Sequence, residues 1–489
     1  VLLEAFLDAF RIDTLFWLSV GTVIGIIIGA LPGLTATMGI ALMIPLSYRL
    51  DFSPAIGLLI GVYFGAVIGA SIPAVLFGIP GNPNAIATVY DGYEMTKKGE
   101  APRALGAAIG ASFCGGILSF VLLVLLAPQI ARVALMFGPP EYFALGVFGL
   151  TMLGSLSGKS ILRGLISALI GVAISMVGID PISGVRRFTF GMKELLDGIP
   201  LIPVLIGIYA FGQVFWDIDS LARLKLSAEA KKLSFRLVLR SIFDVGKYLR
   251  TIVESSLIGA GVGAFPGTGA SIAVLLAYSR AKSRNPNMGS GDVEGVIAPE
   301  TANNAVTGGA MIPTLSLGIP GDSATALLMS ALILKGIRPG PLLFRYELDV
   351  VYKLFIILLL ANIVMVLFMT VGIRFFVKLL SIPAHYLIPW ILVTSTLGAF
   401  AVNERYFDVI LAFIFGAVGY AFRKHDFPQA PLVLGMIIGP IIESEVRRSL
   451  IMFKGNWGMM FSRPIVITFF AITIVSLTMS AVRRRKKGS

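Results

Sequence analysis

The chain has 489 residues, of which 56% are hydrophobic and only 14% charged, and its mean hydropathy is +0.88. A soluble domain carries about a quarter charged residues, so the composition argues against a soluble protein and for an all-α polytopic protein of the lipid bilayer. The net charge of +13 falls in short loops and at the C-terminus without interleaved aromatics; the positive-inside rule accounts for it, and no nucleic-acid partner is expected.

In chain order, residues 1–11 space apolar positions as a helix with acids between them, and predict an interfacial helix. A first span is expected over 15–31, closing in Gly29-Ala30-Leu31-Pro32-Gly33-Leu34-Thr35-Ala36-Thr37. An apolar piece at 38–48 follows. Residues 54–78 read as one element, kinked at Pro73 and broken at Gly78-Ile79-Pro80-Gly81. A more polar helix through Thr88 leads to a charged loop at 91–103. Apolar elements then recur at 104–127, 142–156, 161–178 and 199–215. Cys114, the only cysteine, supports neither a disulfide framework nor a cysteine metal site and reads as small apolar filler.

Residues 217–250 change character. Eight basic residues (Arg223, Lys225, Lys231, Lys232, Arg236, Arg240, Lys247, Arg250) alternate with Leu221, Leu224, Leu233, Leu237 and Phe243. This predicts an amphipathic cytoplasmic connection between two halves.

The second half repeats the first in order. Gly263-Ala264-Phe265-Pro266-Gly267-Thr268-Gly269-Ala270-Ser271 answers 29–37, and Gly318-Ile319-Pro320-Gly321 answers Gly78–Gly81. Gly336 and Pro431 begin phrases that answer those at Gly99 and Pro203. Four landmarks share one order at offsets of 228 to 240, which implies an internal duplication of roughly 200 residues. The expected organisation is a first repeat at 1–216, a linker at 217–250, a second repeat at 251–450, and an extra C-terminal helix with basic tail at 451–489.

Charge orients these parts. The linker and the cluster Arg483-Arg484-Arg485-Lys486-Lys487 both belong on the cytoplasmic side. One extra span follows the second repeat, so that repeat crosses an odd number of times. Two like-folded repeats are then inverted relative to one another, with about 11–12 membrane elements, some of them interrupted or re-entrant.

Inverted repeats with broken helices mark secondary transporters, whose ligands bind where helix ends meet near the midplane. Residues just after a break fall at helix N-termini, where free N–H groups favour anions. The substrate-binding candidates of the first half are Pro32, Gly33, Thr35, Thr37, Gly81, Asn82 and Asn84. Those of the second are Pro266, Gly267, Thr268, Ser271, Gly321, Asp322, Ser323 and Thr325. Simple helix capping is the other reading of each taken singly. Hydroxyls, amides and carbonyls also suit Na⁺, and an acid at membrane depth is costly and usually functional. The ion-binding candidates are therefore Tyr63, Glu300, Asn303, Asn304 and Asp322. For Glu300 a plain capping role competes, since Pro299 suits a helix start.

Enzyme chemistry finds no support. The histidines, His385 and His425, stand outside any H-E-x-x-H pattern, and neither a nucleotide-binding G-x-x-x-x-G-K-[ST] loop nor a G-x-S-x-G elbow occurs. No cofactor is expected beyond Na⁺ as a coupling ion. A passive anion channel is the rival from another class, and a membrane-embedded enzyme a third.

The phrases GALPGLTATMGIALMIPLSY (29–48), GIPGNPNAIATVYDG (78–92), GAFPGTGASIAVLLAY (263–278) and EGVIAPETANNAVTGGAMIPTLSLGIPG (294–321) resemble the large membrane subunit, TctA, of the tripartite tricarboxylate transporter family. The resemblance extends over nearly the whole chain. It implies a TctB-like small membrane subunit and a TctC-like periplasmic substrate-binding protein as partners. It implies import of carboxylates such as citrate across the bacterial inner membrane, driven by a Na⁺ or H⁺ gradient. By analogy with other binding-protein-dependent importers it suggests an elevator-like motion.

Overall fold

The computed structural model describes residues 1–31, 33–156, 160–180, 182–220, 234–266, 269–379 and 387–485. Helices α1 (Leu2–Ala9) and α2 (Ile12–Ala30) open the chain, with Arg11 bridging Asp8 and Asp13 between them. The interfacial helix expected at 1–11 docks on the protein: Ala5 and Ala9 are buried, and Lys353 pairs with Asp8 at 3.4 Å. After a break come α3 (Ala36–Tyr48), α4 (Phe52–Gly69) and α5 (Ser71–Phe77). The single element expected at 54–78 is thus two helices, and the interruption falls at Ala70 rather than at Pro73. Pro73 is the third residue of α5, where its missing N–H forfeits no intrahelical bond.

Glycine sets how closely α2 and α4 pack. A Cβ on Gly25 would land on the backbone of Val62 and Ala66; one on Gly65 would land on that of Thr22 and Ile26. Helices with such small faces approach to backbone contact, the mode that replaces hydrophobic drive inside lipid. The apolar window of Phe52–Phe77 is buried entirely by protein, as expected of a helix apolar on every side.

The 3₁₀ turn Pro83–Ala85 leads into α6 (Ile86–Lys97). Helix α7 (Ala101–Ala134) outruns the predicted 104–127, because Pro102 fits its first turn. Then follow α8 (Pro139–Leu156) and α9 (Ile161–Ser175). The antiparallel hairpin of β1 (Gly178–Ile179) and β2 (Arg186–Arg187) is the only sheet among the described residues. Helices α10 (Leu201–Leu205) and α11 (Gly212–Ser220) flank a π-helical segment, Ile206–Phe211. Of the expected linker, α12 (Phe235–Asp244) is a strongly two-faced helix: Val238 and Ser241 are buried against α7, while Leu237 and Phe243 are exposed. Leu221, Leu224 and Leu233 lie outside the described residues.

The second half runs through α13 (Leu249–Ala264), α14 (Ala270–Lys282), α15 (Glu294–Leu317) and α16 (Ser323–Leu334). Beyond them lie α17 (Leu343–Tyr346), α18 (Leu348–Leu379), α19 (Leu387–Asn403), α20 (Tyr406–Lys424), α21 (Gln429–Met452), α22 (Trp457–Phe461) and α23 (Pro464–Arg485). Helix α15 runs unbroken through Pro299 and Pro313. Pro299 is therefore interior, and the alternative capping role of Glu300 fails because the helix begins earlier, at Glu294.

The two halves pack by matching rules. Gly263 and Gly309 bring α13 onto α15 as Gly25 and Gly65 bring α2 onto α4. Helix α7 lies on α15, and α18 lies on α4. Helix α9 packs on α21, with Gly171 against Leu432 and Gly435 against Ala168; α20 packs on the π-helical segment, with Gly207 against Ala412 and Gly419 against Ile208. Each half thus completes the other's packing. Six described helices are long and apolar enough to cross a membrane, and six shorter apolar helices accompany them. The chain is an all-α, multi-pass membrane protein.

Candidate substrate site at the helix tips

The two Gly-Ile-Pro-Gly phrases adopt one geometry. Helix α5 ends at Gly78 with φ +69°, and α15 ends at Gly318 with φ +71°. Glycine enters this left-handed region without the Cβ penalty. The amide of Ile79 donates back to the Pro73 carbonyl at 3.4 Å, and that of Ile319 donates to the Pro313 carbonyl at 3.3 Å. The chain then turns into a new helix N-terminus. Gly81 rests on Gly29 and Ala70, and Gly321 on Gly263 and Ala310, with no room for a side chain at either.

Polar residues follow both turns. Asn82, 6% exposed, accepts the amide of Asn84 at 3.0 Å through its side-chain oxygen. Asp322 caps α16 by accepting the amide of Thr325 at 2.7 Å, while the Thr325 hydroxyl accepts the amide of Asp322 at 3.0 Å. This reciprocal pair satisfies two donors that the helix end leaves free. The Tyr63 hydroxyl, from α4, donates to the second Asp322 oxygen at 2.9 Å. Thr35 caps α3 by accepting the amide of Met38 at 3.3 Å.

The tips interlock across the halves. Thr37 on α3 lies 2.9 Å from Ser323 on α16, hydroxyl to hydroxyl. Ser271 on α14 donates to the Asn84 amide oxygen at 2.8 Å. The Gly33 amide donates to the Gly81 carbonyl at 3.1 Å and joins these two clusters. Pro266 is buried at the turn after α13. Pro32, Gly267 and Thr268 lie outside the described residues, as does His385. His425 caps the far end of α20 and is exposed.

Glu300, Asn303 and Asn304 are not at the tips. They lie inside α15 and are buried. The Thr88 hydroxyl donates to Glu300 Oε1 at 2.5 Å, and the Asn304 amide donates to the Ser112 hydroxyl at 2.7 Å. Neither side-chain amide atom of Asn303 has a hydrogen-bond partner among the described residues.

Sequence reasoning missed two neighbours of the tips. The Tyr209 hydroxyl, in the π-helical segment, lies near Ser323 without a hydrogen-bond partner among the described residues. Gln213 stands over Gly33, where a Cβ would meet its amide nitrogen at 3.3 Å, and Arg423 of α20 donates to the Gln213 side-chain oxygen. Tyr209 sits in a π-helical segment, a feature often found at functional sites, and no residue pattern in the sequence announces it.

A model of the tripartite tricarboxylate transporter TctA family matches residues 15–434. An uncharacterized 52.8 kDa protein in the TAR-I ttuC' 3'region of Agrobacterium vitis is 34% identical over 424 residues, 85% of this chain and 84% of that protein. An uncharacterized protein in the TAR-II ttuC' 3'region of the same organism is 33% identical over 225 residues, 45% of this chain and 93% of that protein. No solved structure matches the chain.

Proposed function

The chain belongs to the tripartite tricarboxylate transporter TctA family, and from that premise we propose that it is the translocating subunit of a carboxylate importer driven by a Na⁺ or H⁺ gradient. Citrate is the type substrate. A TctC-like periplasmic binding protein delivers it, a TctB-like small membrane subunit completes the complex, and the assembly sits in a bacterial inner membrane. The two halves, 1–216 and 251–450, are inverted repeats joined by the linker at 217–250, with 451–489 as an addition. The tips move past the scaffold in an elevator-like step.

One observation carries this reading. Each half's Pro-Gly helix hydrogen-bonds to the other half's Gly-Ile-Pro-Gly tip, through Thr37 to Ser323 and through Ser271 to Asn84. Convergent helix N-termini of this kind hold carboxylates without buried arginine. Asp322 already fills the anion position of α16. The substrate anion therefore favours the Asn82 and Asn84 side, and a coupling cation favours Asp322.

Substitution tests the assignment. Asn82→Ala, Asn84→Ala, Asp322→Ala and Ser323→Ala each reduce citrate uptake in proteoliposomes. Full uptake by all four variants defeats the site.

A further inference from the structure

Glu300 lies in the second turn of α15 with no exposure to solvent. No ion pair to it forms among the described residues. Its partners are neutral hydroxyls from two other helices: Thr88 on α6 at 2.5 Å, and Ser112 on α7 at 3.4 Å. Asn304, one turn along, donates to Ser112 at 2.7 Å and to the Glu300 carbonyl at 3.2 Å. An isolated carboxylate in such surroundings is neutralised, either by a proton or by a bound cation.

Thr88 Oγ1 and Glu300 Oε1 stand at hydrogen-bond distance, a contact that a protonated carboxyl makes as readily as a carboxylate. On the other side the Asn304 NH₂ group faces the Ser112 hydroxyl, and Asn304 Oδ1 has no hydrogen-bond partner among the described residues.

The carboxylates and Tyr63 on the helices around Glu300 are engaged elsewhere. Asp91 on α6 accepts the Tyr278 hydroxyl and the amides of Gly289, Gly291 and Asp292. Glu254 on α13 is held by Arg250, Arg280 and Arg284. Tyr63 on α4 is bonded to Asp322, and Glu294, at the start of α15, takes the Thr251 hydroxyl and the Asn285 amide. Cys114 on α7 is a half-buried thiol. The basic residues Lys97, Arg103 and Arg250 are exposed at helix ends.

We propose that Glu300 carries the coupling proton: its carboxyl takes up one proton from water on one side and releases it to water on the other as the tips exchange access. This rests on the importer reading above. Thr88 belongs to the helix that starts at the Asn82 tip, so the hydrogen bond to Glu300 links protonation to the position of that tip. Loss of the proton leaves a buried charge with two hydroxyl donors among the described residues, which penalises the occluded arrangement until substrate or solvent compensates.

Infrared difference spectroscopy on the full-length protein in liposomes reads the proton directly, whatever the substrate. The wild type shows the carbonyl band of a buried carboxylic acid at neutral pH, lost on alkalinisation, and Glu300→Gln lacks that band at every pH. Thr88→Val, which keeps Glu300, shifts the band and guards against misfolding of the first variant. In parallel, Glu300→Gln retains exchange of internal for external labelled citrate, while its proton-driven net uptake falls to the rate seen without a gradient; Glu300→Asp restores part of it. The proposal is overturned if the wild type has no such band at neutral pH, if the band persists in Glu300→Gln, or if Na⁺ abolishes it. Citrate movement without any such band leaves the importer reading standing and removes the proton role.

Discussion

The hydroxyl of Thr37 lies 2.9 Å from that of Ser323, although 286 residues separate them in the chain. One belongs to the first half's Pro-Gly helix and the other to the second half's tip. Such a bond forms only if the two halves close on each other, so it reports the assembled site. Thr37→Val and Ser323→Ala each break it. In a double-mutant cycle the pair couples by about 1 kcal/mol, or roughly fivefold in citrate uptake. Additive effects would mean that the hydroxyls act independently.

The tips leave no space behind their last glycines. Gly81→Ala and Gly321→Ala drive a methyl into the backbone of Gly29 and Ala70, or of Gly263 and Ala310. Backbone neighbours cannot rotate away, and each variant loses about 1–3 kcal/mol, seen as a lower melting temperature in detergent. The control is Gly261→Ala on α13, where nothing lies within 4 Å. That change is neutral, or stabilising by roughly 0.5–1 kcal/mol.

Asp91 holds the loop before α15 through three backbone amides and the Tyr278 hydroxyl, all at 2.7–2.9 Å. Asp91→Asn replaces an acceptor oxygen with an NH₂ group that faces N–H donors. The loss is about 2–3 kcal/mol, and protease cleavage within 285–292 accelerates. An unchanged cleavage rate would contradict this role.

Asp180 lies outside the spans, beside the β1–β2 hairpin. The Arg447 guanidinium, then the Ile182 amide and the Ser183 hydroxyl, hold its carboxyl well below the usual carboxylate range. A depressed folded-state value stabilises above the unfolded value of about 3.9 and is lost as pH falls toward the folded one. Asp180→Asn therefore melts below the wild type at neutral pH, and the gap closes as pH drops beneath about 4. A gap that widens in acid reverses the sign and refutes the assignment.

The helix breaks were legible because Gly-Ile-Pro-Gly cannot continue a helix in either copy, and both copies end in the same left-handed turn. The capping residues Thr35, Asn82 and Asp322 followed from their place after each break. Pro299 misled, because a proline inside a buried helix is tolerated when neighbouring helices satisfy the freed carbonyl, and its sequence context does not announce that. Thr88 and Ser112 were invisible for a different reason. They reach Glu300 across 212 and 188 residues, and one hydroxyl side chain carries no periodic signal. The packing of α20 on the π-helical segment and of α21 on α9 likewise depends on which glycine faces which carbonyl, a property of packing rather than of pattern.

Coupled carboxylate movement through the paired tips is read by uptake of labelled citrate, with a panel of other carboxylates, into liposomes holding this chain with the proposed small membrane subunit and periplasmic binding protein. Accumulation above the external concentration is expected only under an inward H⁺ or Na⁺ gradient and only with the binding protein present. Equal entry with and without the gradient and the binding protein would make the chain a passive pore and contradict coupled movement.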